Sequence, residues 1–132
     1  MVLADSSAWI EFDRATGTSL ERRMTELVGE RHGLAVTEPV LMEVLAGARD
    51  ARAEERLRTL LRSRDWLPFE STIDFELAAR IFRRCAGIGL TPGGLLDCAI
   101  VAVALRSGAT LLSGDAGQRR VAEAVGVQLE VG

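Results

Sequence analysis

The chain has 132 residues, 48% of them apolar and 27% charged, a balance that excludes disorder and suffices to bury one core. A net charge of −3 provides no global positive field toward nucleic acid or a membrane surface, so a polyanion has to be met locally. All 16 basic residues are arginine, and lysine, asparagine and tyrosine are absent; GC-rich codon use accounts for this, while the planar guanidinium also suits phosphate.

Val2 to Ala4 read as a short buried strand, and Asp5-Ser6-Ser7 offer oxygens that cap a following short helix carrying Trp9 and Phe12. Leu20, Met24, Leu27 and Val28 give residues 19 to 31 the spacing of an amphipathic helix. Gly33 leads into a strand over Leu34 to Val36, and Thr37 with Pro39 opens a helix that runs to Gly47. Residues 51 to 64 form a polar helix with Leu57, Leu60 and Leu61 on one stripe, and Trp66 to Phe69 read as an edge strand because Pro68 cannot donate to a ladder. A helix over Thr72 to Ala86 follows, then the loop "GIGLTPGG", a helix from about Leu95 to Arg106, a strand over Thr110 to Ser113, a helix near Arg119 to Ala124 and a last strand over Val127 to Val131. Strands alternating with helices predict an α/β fold: one domain spanning 1–132, a parallel-stranded sheet with helices on both faces.

Neither the apolar run Ala99 to Leu105 nor the start "MVLADSSAW" has the length or the basic flank of a membrane span or a secretion signal, which points to the cytoplasm. Cys85 and Cys98 lie in apolar stretches with no further thiol or histidine at ligand spacing. They are expected to be buried thiols in a reducing compartment.

In a parallel sheet, ligands gather at the carboxyl ends of the strands. Asp5 closes the first strand and Asp115 follows the strand over Thr110 to Ser113, so topology places both at one edge. Asp97 is the sole charge in "LLDCAIVAVAL", and an ionised carboxylate in such a helix demands a cation or strong donors. From Asp97 to Arg106 the helix advances about 14 Å, and the strand from Thr110 to Asp115 returns about 16 Å. Asp97 and Asp115 therefore finish at similar height. Glu43 in "TEPVLMEVLAGA" shares its stripe with Pro39, Ala46 and Gly47, small neighbours that admit a close approach, although a solvated helix glutamate has the same pattern. Taken singly, Asp5 is accounted for as a helix cap and Asp115 as a turn residue.

Clustered acids without histidine or cysteine suit hard cations such as magnesium or manganese, which stabilise phosphate charge and activate water. His32, the single histidine, stands between a helix and a strand and is expected at the surface, which leaves no Ser-His-Asp arrangement.

The segments "VLADSSAW", "EPVLMEVLAGA", "LLDCAIVAVAL" with its following strand, and "LLSGDAG" occur in an order and spacing that resembles the PIN-domain ribonucleases, specifically the VapC-type toxins of toxin–antitoxin pairs, over essentially the whole chain. The resemblance implies that Asp5, Glu43, Asp97 and Asp115 are an acidic quartet holding one or two magnesium or manganese ions for cleavage of RNA, with Ser7 and Ser113 as accompanying hydroxyls. It also implies a homodimer and a VapB-like antitoxin that covers a hydrophobic groove near the acids, for which Trp9 and Phe12 are candidates alongside ordinary core packing. Many relatives carry a further aspartate two positions after the last acid, often before phenylalanine; Gly117 and Gln118 stand there, which puts a second metal in doubt.

Arg49, Arg52 and Arg56 are spaced to form a stripe for RNA phosphates, continued by Arg62 or Arg64, or else an exposed helix face laced to Glu54 and Glu55. Two other functions share strand-end acids. A magnesium-dependent phosphotransfer domain of the haloacid-dehalogenase or receiver kind lacks its second aspartate at Ser7 or its lysine here. A catalytically inert PIN-like module that binds RNA or protein is separated from the enzyme by manganese binding.

Overall fold

Four short strands pair in parallel in the computed structural model, which describes residues 1–132. In chain order the elements are β1 (Val2–Ala4), α1 (Ser6–Arg14), α2 (Ser19–Gly29), β2 (Leu34–Val36), α3 (Glu38–Ala46), α4 (Ala51–Arg62), β3 (Asp65–Trp66), α5 (Ser71–Gly87), α6 (Leu95–Ser107), β4 (Thr110–Leu112) and α7 (Ala116–Ala124). The sheet order is β3-β2-β1-β4. β2 is buried at all three residues, as expected of a parallel strand covered on both faces. No helix is long and apolar enough to cross a membrane.

Register fixes the functional edge. Leu3 pairs with Leu111 and Ala4 with Leu112, and the Asp5 amide donates to the Leu112 carbonyl at 2.9 Å. The carboxyl ends of β1 and β4 are therefore level. Behind them α6 runs through the core with Cys98 to Ala104 all buried, packed against α5 and α7. Both cysteines are buried and unpaired, as expected.

Helix ends shift by one or two residues from expectation, and three boundaries differ by more, for physical reasons. β3 is Asp65–Trp66 rather than Trp66 to Phe69: Leu67 donates the last ladder bond to the Val36 carbonyl at 2.8 Å, and Pro68 has no amide with which to continue. The strand expected over Val127 to Val131 contracts to one parallel bridge, Leu111 to Leu129: the tail exchanges only two backbone bonds with Leu111, from its amide to the Gln128 carbonyl and from the Glu130 amide to its carbonyl, while the Glu130 side chain pairs with Arg23 on α2 at 2.6 Å. α7 begins at Ala116, three residues earlier than expected, because Asp115 caps it by accepting the Gln118 amide at 3.0 Å.

The edge strand is secured from α3. The Glu38 carboxylate accepts the Trp66 indole N–H at 2.8 Å and the Phe69 amide at 2.6 Å. Partial burial works against the charge, but those donors outweigh it and hold the carboxyl below its ordinary range. Glu38→Ala is expected to lower stability by about 1 kcal/mol, since this site is largely exposed. Chemical denaturation checks this, together with faster hydrogen exchange at Leu67 and Phe69.

Candidate functional site

Asp5 lies at the end of β1, 3% exposed, and does two things at once. As the cap of α1, its Oδ2 accepts the Ser7 amide at 3.2 Å and the Ser7 hydroxyl at 2.9 Å; its Oδ1 accepts Gln118 Nε2 at 3.3 Å. Ser7 Oγ in turn accepts the Gly114 amide at 2.9 Å, which ties the loop after β4 to the first turn of α1.

Glu43 comes to the same corner from α3, half-buried, with Ser6 Oγ donating to its Oε1 at 3.1 Å. Asp97 occupies the first turn of α6. A Cβ on Gly93 would stand 2.8 Å from Asp97 Oδ2, so glycine is what lets the preceding loop lie against this carboxylate. Asp115, more exposed, caps α7, and its own amide donates to Ser113 Oγ at 3.0 Å.

The charges interact. Burial foremost, then the negative charges of Asp5 and Asp115, pushes Asp97 up to about 6. Burial, with Asp5 and Asp97 adding to it, also raises Glu43 despite the opposing bond from Ser6. Mutual repulsion thus links Glu43, Asp5, Asp97 and Asp115, and none of them is engaged in an ion pair: the salt bridges of the molecule all lie elsewhere. What offsets the repulsion is the amino ends of α1, α6 and α7, whose partial positive charge meets Asp5, Asp97 and Asp115. As they stand, no three of these groups converge closely enough to enclose an ion. Their donors are oxygen throughout, which fits magnesium or manganese.

Other expectations divide. His32 is exposed and sits beside Asp65 at 3.2 Å, at the amino end of β2 and away from the acids. Trp9 is 1% exposed and belongs to the core, which corrects its candidacy as a docking residue; α1 turns this face inward, with the edge of Phe12 against it at 6.2 Å. Phe12 is half-buried.

Among the arginines, Arg49 and Arg52 are exposed, whereas Arg56 is held by Asp13 at 2.6 Å. Arg14, Arg49 and Arg56 line a hollow of about 380 Å³ that also contains Asp13. Glu54 and Glu55 pair with Arg58 rather than with this stripe, and Arg64 is engaged by the carbonyls of Val28 and Glu30.

Sequence reasoning missed Gln118, a wholly buried side chain at the centre of the corner. Its signal was weak: a glutamine three residues after a helix-capping aspartate.

The PIN domain model matches residues 2–124. Ribonuclease VapC11 of Mycobacterium tuberculosis is 38% identical over 117 residues, covering 88% of this chain and 87% of the relative. Among solved structures, VapBC-1 from nontypeable Haemophilus influenzae superposes with a TM-score of 0.74 at 16% identity, covering 98% and 97% of the two chains. A toxin-antitoxin complex from Klebsiella pneumoniae gives 0.67 at 19% identity, covering 87% of each.

Proposed function

The chain belongs to the PIN-domain family, and from that footing we propose that it is a metal-dependent endoribonuclease, the toxin of a toxin–antitoxin pair. The observation that carries this is the corner itself: four mutually repelling carboxylates with no basic partner, gathered at the carboxyl edge of a parallel sheet.

Asp5, Glu43, Asp97 and Asp115 would hold the ion. Bound magnesium or manganese supplies charge neutralisation for a phosphodiester and activation of the attacking water. Ser7 and the Asp5 cap keep the first acid in place, Ser113 anchors the loop that presents Asp115, and Ser6 steadies Glu43. With its carboxyl at about 6, Asp97 sheds its proton fully only above that pH, so ion binding weakens as acidity rises.

Exposed Arg49 and Arg52 are the stronger candidates for RNA phosphates, since Arg56 is already held by Asp13. The named complexes among the structural neighbours support a VapB-like antitoxin as partner, and we place the protein in the cytoplasm as a homodimer.

Purified protein incubated with RNA is expected to cleave it in Mg2+ or Mn2+, to lose at least about 100-fold of that rate in EDTA, and to regain it on adding Mn2+. Asp5→Asn should lose as much and regain nothing. Cleavage that persists in EDTA overturns the metal mechanism. Absence of both cleavage and Mn2+ binding makes the chain an inert PIN-like module.

A further inference from the structure

Gln118 is 0% exposed, and three of the four hydrogen-bonding positions of its amide are used: both N–H groups and one lone pair of the oxygen. Oε1 accepts the Ser113 hydroxyl at 2.7 Å. Nε2 donates to Asp5 Oδ1 at 3.3 Å and comes within 3.5 Å of the Asp97 carbonyl oxygen. Turning the amide over would set Oε1 against a carboxylate and a carbonyl, acceptors both, so its orientation is determined by its partners. From α7 the one side chain thus reaches the end of β1, the first turn of α6 and the end of β4.

An apolar side chain of the same volume would fill this space without burying an amide, which costs free energy unless every group is satisfied. What the amide adds is direction. It also differs from the cation that usually answers a buried carboxylate: an arginine here would cancel the charge of Asp5, whereas a neutral donor orients Asp5 and leaves that charge available.

Building on the metal-site assignment above, we propose that Gln118 is a positioning residue. It fixes the Asp5 carboxylate and the first turn of α6 relative to each other, so that divalent-cation affinity depends on this neutral amide. Partners that orient a metal ligand typically contribute 10- to 100-fold in affinity.

The test is Mn2+ titration of the metal-free protein, followed by electron paramagnetic resonance of free Mn2+, for wild type, Gln118→Met and Asp97→Asn. Gln118→Met is expected to bind Mn2+ about tenfold more weakly and to recover RNA cleavage at saturating Mn2+, with a melting temperature within about 4 °C of wild type. Should Gln118→Met not fold, Gln118→Leu removes the amide with a branched apolar side chain and leaves the Ser113 bond to the Asp115 amide in place, and about a tenfold weakening is expected. Wild-type affinity in whichever of these variants folds, with Asp97→Asn binding none, overturns the role of Gln118 and leaves the metal site standing. If wild type takes up no Mn2+, or Asp97→Asn binds it equally well, the metal assignment fails and this inference with it.

Discussion

Asp97→Asn is expected to reduce RNA cleavage by about 1,000-fold or more and at the same time to raise the melting temperature of the metal-free protein. The first effect follows from removing a charge that the ion needs, where even indirect partners contribute 10- to 100-fold. The second follows from what that charge costs the fold. Burial, with Asp5 and Asp115 adding to it, lifts the Asp97 carboxyl to about 6, against about 3.9 in an unfolded chain. The folded state therefore holds the proton more tightly, and ionisation favours unfolding. The destabilisation is complete above the folded value, declines as pH falls through about 6, and vanishes below about 4. The melting temperatures of wild type and Asp97→Asn in EDTA should thus lie furthest apart near neutral pH and converge on acidification. Mn2+ should raise wild type and leave the variant where it was. Equal melting temperatures at neutral pH would sink the claim that this acid is held against repulsion.

Arg106→Leu is expected to lower stability by about 3 kcal/mol, a fall of roughly 10 °C in melting temperature. Asp74 on α5 is 0% exposed, and Arg106 at the end of α6 grips both its oxygens, Nε to Oδ1 at 2.8 Å and Nη2 to Oδ2 at 2.9 Å. Nη2 also donates to the Pro68 carbonyl at 2.8 Å, so the pair joins both helices to the end of the edge strand. Without Arg106 the buried carboxylate keeps only the Glu70 amide, at 2.8 Å. Because the cost arises from the stranded charge, Asp74→Leu combined with Arg106→Leu should recover most of the loss, as thermal or urea unfolding of the single and double variants would show. The pair stands about 14 Å along the helix from Asp97, so below its melting temperature the single variant should still cleave RNA. A loss below about 1 kcal/mol, the range of surface pairs, would show that the bridge is solvent-screened.

Much of the acidic corner was legible before any fold was in view. Asp5 and Asp115 follow strands that parallel pairing brings level, and helix rise against strand rise returned Asp97 to their height. Glu43 was not legible from its own stripe, and its place became clear only from the family likeness and then from the Ser6 hydroxyl beside it. The roles of Gln118, Glu38 and Arg106 were not legible because each depends on a partner distant in the chain: Asp5 for Gln118, Trp66 for Glu38 and Asp74 for Arg106.

By itself, the order of apolar runs, caps and breakers determined the α/β alternation, the parallel sheet and the edge toward which three acids face. These depend on periodicities that repeat every two to four residues and on the fixed rise of helix and strand. Only the tertiary structure decided that Trp9 faces the core, that Asp13 occupies Arg56, that the tail makes a single bridge, and that Gln118 joins Asp5 to Ser113. Such pairings depend on which surfaces pack together and on where each polar group finds a partner once water is gone, and no local pattern along the chain encodes them.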